Sequence, residues 1–387
     1  MRIALVGTRG VPARYGGFET CVEEVGRRLV ERGHEVVVYC RGDAEVGDSY
    51  LGMRLVHLPA LRKRSLETLS HSALSVLHLV SRRRPDAVVV FNAANSPFLP
   101  VLRARRVPVA THVDGLEWRR GKWGPTGRRY YRAAEALAVR WSDALIADAQ
   151  GIADYYRDEF DAGTDLIAYG APTIDPERLD RLGELDLTPR GYHLVVARFE
   201  PENHLDLVVE GYVRSDARLP LVVVGSAPYS DAYTERVTSL ADDRVRLLGG
   251  IWDQELLDQL YAGSLTYLHG HSVGGTNPSL LRAIGAQAPV SAFDVVFNRE
   301  VLGEAGHYFG TPEDVRALVT KAEADPQAER ERGVASGERA ARYDWDDVTA
   351  AYEQLCARLA ASGPLRHRAS GRRRAATSQA DRVGAER

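Results

Sequence analysis

Residues 3–19 read IALVGTRGVPARYGGFE, and this stretch decides the fold. Ile3 to Val6 form an uninterrupted apolar run, as expected of a strand buried on both faces of a parallel sheet. A polar, glycine-rich loop follows and an amphipathic helix begins near Phe18, so strand, loop and helix come in the order of a βαβ unit. Loop N–H groups and the helix N-terminus point at whatever lies over Gly16 and Gly17, an anion cradle that needs no cationic side chain. Residues 270–281, GHSVGGTNPSLL, repeat the device in the second half of the chain. There Asn277 or Ser279 caps a helix, Pro278 sits in its first turn, and Leu280, Leu281 and Ile284 form its buried face.

Outward from the first loop, the strands RIALVG, HEVVVYC, MRLVHLP, DAVVVFN, VPVATHVDG and DALIADA alternate with helix-length segments. A second series, YHLVVARFEPEN, LPLVVVG, VRLLGGI, LTYLHGH and APVSAFD, alternates in the same way. Both imply a parallel sheet with crossover helices. The expected architecture is α/β, with two Rossmann-like doubly wound domains facing across a cleft. Residues 1–175 make the first domain and 176–345 the second, joined through a Pro- and Asp-rich linker near 170–190. A helix over 346–363 packs back toward the first domain. Residues 364–387 are almost free of apolar side chains and read as a disordered basic tail.

The 387 residues exceed what one core usually supports, and 44% hydrophobic with 27% charged residues is a globular composition. No apolar run reaches the ~18 residues of a spanning helix, and MRIALVG lacks the layout of a signal peptide. Cys21, Cys40 and Cys356 lack CxxC or Cys/His spacing, which argues against a disulfide framework or zinc site and fits a reducing cytosol. Residues 1–160 hold 25 Lys and Arg against 18 Asp and Glu, residues 161–363 hold 18 against 33, and the last 24 hold 7 against 2. A basic first half facing an acidic middle predicts an anionic partner for the first domain.

The order GTRGVPARYGGFE, HVDGLEWRRGKW, VARFEPENH, HSVGGTNPSLL and FNREVLGEAGHYF resembles the retaining GT-B glycosyltransferases. Within them it is most similar to the bacterial rhamnosyltransferase-like branch of the group 1, family 4 type, which builds capsule and cell-surface polysaccharide. The resemblance covers roughly residues 1–355. It implies a hexosyltransferase moving rhamnose or another hexose from a nucleoside-diphosphate sugar to a saccharide or polyprenyl-pyrophosphate-linked acceptor. It further implies anomeric retention, and no metal and no cofactor beyond the donor.

By that resemblance Arg198, ending HLVVAR, meets the donor pyrophosphate, and the donor site is completed by Gly16, Gly17, Asn203, Gly225, Gly274, Gly275, Thr276, Asn277, Ser279 and Arg282. A plain alternative for Arg198 is an interdomain ion pair. The LLGGIW loop borders the base, or else Ile251 and Trp252 are core. On the acceptor side, His112, Asp114 and Glu117 follow the strand PVAT at its carboxyl end, with Asp114 placed to polarise the acceptor hydroxyl; a turn at Asp114-Gly115 and packing of the others are the competing reading. His269 and His271 alternate along one strand and have no third ligand nearby for a metal. The superfamily carries a lysine where this chain has Asn203 and two glutamates where it has Gly274 and Arg282. Asn203 and Gly274 fit the rhamnosyltransferase-like branch; Arg282 does not. Either Arg282 turns to the diphosphate or the donor site is impaired, leaving a sugar-nucleotide-binding homologue. A GT-B nucleotide-sugar epimerase is the other enzyme class compatible with the motifs.

Arg62-Lys63-Arg64 and Arg82-Arg83-Arg84 bracket a helical stretch with Leu66, Leu69, Ala73, Leu77 and Val80 at helical spacing. Such a helix rests on an anionic inner leaflet or packs on its own sheet. The expected location is therefore cytoplasmic, and peripheral at the inner face of the plasma membrane. Nucleic acid is not an expected partner, because the cations are mixed with acids and no nucleic-acid motif is present.

Overall fold

The computed structural model describes the chain except for residues 14–15, 43–46, 62–65, 114, 122, 226–230, 365–369 and 375–387. Asp114 and the triplet at 62–64 therefore lie outside the described residues. Two compact units emerge, Met1–Ala168 with Val348–Arg387, and Tyr169–Asp347.

In the first unit β1 (Arg2–Val6), β2 (Glu35–Arg41), β3 (Ser49–Tyr50), β4 (Met53–Leu58), β5 (Ala87–Phe91), β6 (Val109–His112), β7 (Ala144–Ala147) and β8 (Asp165–Leu166) form one sheet. Its order is β3-β4-β2-β1-β5-β6-β7-β8. Every pairing is parallel except that of β3 with β4. The apolar runs predicted as strands all form, because side chains on both faces are buried, as in β5 with Ala87 to Phe91. One core gathers Ala4, Val6, Val37, Tyr39, Val76 and Leu79.

The second unit repeats the plan with β9 (His193–Val196), β10 (Leu221–Val224), β11 (Val245–Gly249), β12 (Thr266–His269), β13 (Val290–Phe293) and β14 (His307–Phe309). The order is β11-β10-β9-β12-β13-β14, all parallel. In each sheet the first strand of the unit lies between the second and a later one, so the direction of winding reverses beside β1 and beside β9. In open α/β sheets such reversals are where ligands bind, outside the carboxyl ends.

Three expectations change. The Pro- and Asp-rich stretch near 170–190 is bonded to the second unit: Ala171 N donates to the Tyr343 carbonyl at 2.7 Å and Arg181 N to Gln259 Oε1 at 2.8 Å. The tail is not solvated throughout. Arg373 reaches Glu135 at 2.6 Å and Glu159 at 2.8 Å, and Arg374 N donates to the Glu159 carbonyl at 2.7 Å. Composition alone missed this, since the docking is ionic rather than apolar. Finally, the helix Glu67–Ser81 buries Ser72, Ser75, Val76 and Leu79, so Leu74 and Leu77 face outward and the Leu66 to Val80 stripe is not its packed face.

Candidate functional site

In the second unit, the chain leaves β9 through Ala197 and Arg198 and turns at once. The Arg198 carbonyl accepts from Glu200 N at 2.8 Å and from Asn203 Nδ2 at 2.7 Å. The other side of the Asn203 amide lies 2.6 Å from His271 Nδ1, beyond β12. Asn203 Oδ1 is an acceptor, so His271 Nδ1 carries the proton and Nε2 is turned toward Gly274, 3.4 Å from where a Cβ there would sit. Ser272 N donates to the Glu202 carbonyl at 2.9 Å, and Asn298 Nδ2 to the His271 carbonyl at 2.9 Å. The loops after β9 and β12 are thus one bonded unit.

Two glycines permit this closeness. A Cβ on Gly225, after β10, would stand 1.8 Å from the Ala197 carbonyl oxygen, and one on Gly270 would stand 2.0 Å from that of Asn203. At the next helix, Pro278–Gly285, Asn277 caps by accepting from Ser279 N at 2.9 Å, while Leu280, Leu281 and Ile284 are fully buried, as the sequence predicts. Thr276 is buried beneath the loop. The Gly274 and Gly275 amides have no partner among the described residues. Arg198, Asn203, Gly225 and the segment Gly274–Ser279 therefore belong to the loops around one reversal point, with amides and a guanidinium suited to phosphate oxygens.

Arg282 does not join them. Its guanidinium pairs with Asp258 on the helix Gln254–Gly263. Trp252 is 64% exposed, which removes the core reading for it. His269 is buried against the Tyr267 hydroxyl, 3.0 Å away, and burial pushes its pKa down to about 3.

In the first unit Gly16 and Gly17 open the helix Gly17–Glu31, which has no side-chain cap. Part of the expected cradle is already occupied. Glu19 Oε1 accepts from Arg9 N at 3.0 Å, Glu23 Oε2 from Ala13 N at 2.6 Å, and Thr8 Oγ1 from Gly10 N at 3.0 Å. Those carboxylates staple the loop to its helix and put negative charge where an anion was expected.

His112, ending β6, is fully buried, bonded through Nδ1 to Tyr352 Oη at 2.9 Å and touched by the edge of Phe18. Burial lowers its pKa to about 3. It is thus a neutral core imidazole at pH 7, as the packing alternative holds. Glu117 is also buried, with Arg120 Nε 2.6 Å from one oxygen and Trp123 Nε1 3.2 Å from the other. Its carboxylate holds the turn together. The sequence reading did not single out Asn92 and Asn95 after β5: Asn92 caps by accepting from Ala94 N at 2.8 Å, and Asn95 Nδ2 donates to the Phe91 carbonyl at 2.7 Å. Two asparagines in NAANSPF, residues 92–98, directly after an apolar strand, were the available signal.

Among the described residues no His, Cys, Asp and Glu group is arranged to hold a metal, and no helix is long and apolar enough to cross a membrane.

Residues 16–170 match the family model of the glycosyl transferase 4-like domain. Over 139 residues, 35% of this chain, the sequence is 30% identical to the UDP-N-acetylglucosamine–peptide N-acetylglucosaminyltransferase GtfA subunit of Streptococcus gordonii. The matched part spans about a quarter of that relative, 27% of its length. The fold is similar to sucrose-phosphate synthase from Thermosynechococcus elongatus, with TM-score 0.80, 22% identity, and 93% of this chain and 99% of that one covered. It is also similar to Anabaena HepE in complex with UDP, with TM-score 0.73, 16% identity, and 93% and 100% covered. The fold class is accordingly that of GT-B glycosyltransferases, two Rossmann-like α/β units.

Proposed function

We propose that this chain is a glycosyltransferase that takes a sugar from a nucleoside diphosphate, with the diphosphate held at the reversal point beside β9. The observation that carries this reading is the bonding of Asn203 to both the Arg198 carbonyl and His271, which fixes the loops around the Arg198 guanidinium and the Gly274 and Gly275 amides. Departure of the diphosphate builds negative charge on its β-phosphate oxygen, and preorganised N–H donors with a permanent cation stabilise that charge. The match to a glycosyl transferase 4-like domain and the HepE–UDP likeness support the same chemistry.

The finer reading follows the sequence motifs. The sugar is rhamnose or another hexose, transfer retains the anomeric configuration, and neither a metal nor any cofactor beyond the donor is required. The acceptor is a saccharide, lipid-linked, in cell-surface polysaccharide synthesis. The enzyme works in the cytoplasm, peripheral at the inner membrane face. Asp114 is assigned to polarising the acceptor hydroxyl; His112 and Glu117 support the structure around it.

The test is transfer of label from UDP-, dTDP- and GDP-sugars to a lipid-linked saccharide pool, with and without chelator. One donor is expected to give a glycoside with chelator present, and Arg198→Ala to slow it about 10²-fold or more. A nucleotide sugar altered with no glycoside formed would make the protein an epimerase. Binding of donor without release of diphosphate would leave a binding homologue.

A further inference from the structure

A second concavity lies in the first unit, away from the carboxyl ends of the strands. Strand register puts Arg2 and Ala4 of β1, Val37 and Tyr39 of β2, and Arg54 and Val56 of β4 on one face, since Ala4 pairs with Val37, Val37 with Arg54 and Tyr39 with Val56. The helix Glu67–Ser81 packs over that face, and His78 and Leu79 of its last turn line a gap together with Arg2 and Arg54. What remains is a cavity of about 230 Å³. That is several times the ~30 Å³ share of a water molecule in the liquid. Its floor is Ala4, Val37, Val56, Leu79 and Pro85, and its walls carry Arg2, Arg54, Arg82 and Arg83.

The charges there are poorly matched. Glu35 lies 3.3 Å from Arg2 Nε, and Asp86 accepts from Arg2 N at 2.7 Å. Arg54, Arg82 and Arg83 have no carboxylate partner among the described residues. At the helix end Arg82 N donates to the Leu79 carbonyl and Arg82 Nε lies 3.4 Å from His78 Nε2, whereas Arg54 comes from a strand. Tyr39 Oη and His78 Nδ1, 3.1 Å apart, add neutral hydrogen-bonding groups to the wall. Burial raises the Tyr39 hydroxyl pKa to about 12, and the charges of Arg2, Arg54 and Arg82 all oppose that rise, so the three act on one point.

We propose that this pocket, formed by Arg2, Arg54, Arg82 and Arg83 over an apolar floor, binds the phosphate group of a ligand distinct from the sugar donor. Several guanidiniums around one anion give charge-assisted, bidentate bonds. The apolar floor accommodates the carbon body to which the phosphate is attached. A soluble phosphate ester and a phospholipid headgroup share this chemistry. Leu74 and Leu77, exposed on the adjoining helix, would favour the second source.

Arginine footprinting of the full chain by phenylglyoxal and peptide mass spectrometry reads Arg54, Arg82 and Arg83 separately from Arg198. Inorganic pyrophosphate is expected to slow their modification about tenfold or more, with sodium chloride at equal ionic strength leaving it unchanged. Arg54→Ala should remove the protection of Arg82 and Arg83 without changing that of Arg198. Vesicles containing phosphatidic acid, compared with phosphatidylcholine alone, separate the sources: protection by both probes assigns a headgroup, and protection by pyrophosphate alone assigns a soluble ester. Unprotected Arg54, Arg82 and Arg83 with either probe, or equal protection by chloride, overturns the site whatever happens at Arg198.

Discussion

Arg282 shows how much one partner decides. The resemblance leads to the expectation of a glutamate at its position, which would accept hydrogen bonds from hydroxyls, whereas arginine only donates. Here its charge is matched by Asp258, a partly buried pair with side chains 23% and 29% exposed. A glutamate at 282 would face that carboxylate instead. Arg282→Glu is therefore expected to lower stability by about 1–2 kcal/mol, and the swap Arg282→Glu with Asp258→Arg to recover most of the loss. Urea midpoints of the two variants decide it, and additive losses in the double variant would show that the pair is not the reason Arg282 sits there. Neither outcome requires the diphosphate, which distinguishes this account from one in which Arg282 substitutes for a missing lysine. The pairing was hidden in the sequence because Asp258 lies on a different helix, and only packing sets which face of Pro278–Gly285 meets it.

At the level of elements, the phenol of Tyr352 bonds the last helix, Trp345–Ser362, to β6 inside the first unit. Tyr352 is 1% exposed, and its oxygen meets His112 Nδ1 at 2.9 Å and Cys21 Sγ at 3.6 Å. Tyr352→Phe keeps the ring and deletes both bonds, leaving polar atoms in a dry core, and should cost about 1–3 kcal/mol by chemical denaturation. An unchanged midpoint would mean that the ring alone anchors the helix. These connections mark the limit of what was legible. Long apolar runs such as AVVVF and LVVV announced their strands because both faces of a parallel sheet are buried. The strands β3, β8 and β14 have only two or three residues each, and they exist through pairing rather than composition. Likewise the glycine loops were visible, but not their occupants: the carboxylates of Glu19 and Glu23 close the first loop from the first two turns of the following helix, and Asn203 meets His271 across 68 residues of sequence.

Across the whole molecule, charge and burial set the response to pH. Glu135, 3% exposed, is neutralised by Arg373 from a segment the composition alone would leave in solvent. Arg373→Ala should thus lower stability by about 1–3 kcal/mol, the guanidinium being itself partly exposed, and a melting temperature unmoved by the change would assign the contact no energetic role. Protonation acts on a larger scale. His71 and His112 in the first unit and His269 in the second are buried, and burial lowers their pKa values to about 4, 3 and 3. In the unfolded chain each titrates near ~6.5, so between that pH and the folded value the unfolded state binds the extra proton. Stability conferred by the neutral rings is complete above ~6.5 and is lost as pH falls, by about 1.4 kcal/mol per pH unit for each ring. At pH 5 this would remove on the order of 4 kcal/mol from the first unit and about 2 kcal/mol from the second, against the ~5–15 kcal/mol that holds a typical domain folded. Urea midpoints measured from pH 7.5 to 5 should therefore fall steeply below 6.5, and His269→Gln, which removes one titrating ring, should flatten the slope by about one proton. A midpoint independent of pH across that interval would mean that these imidazoles take up protons in the folded state and are not buried in neutral form.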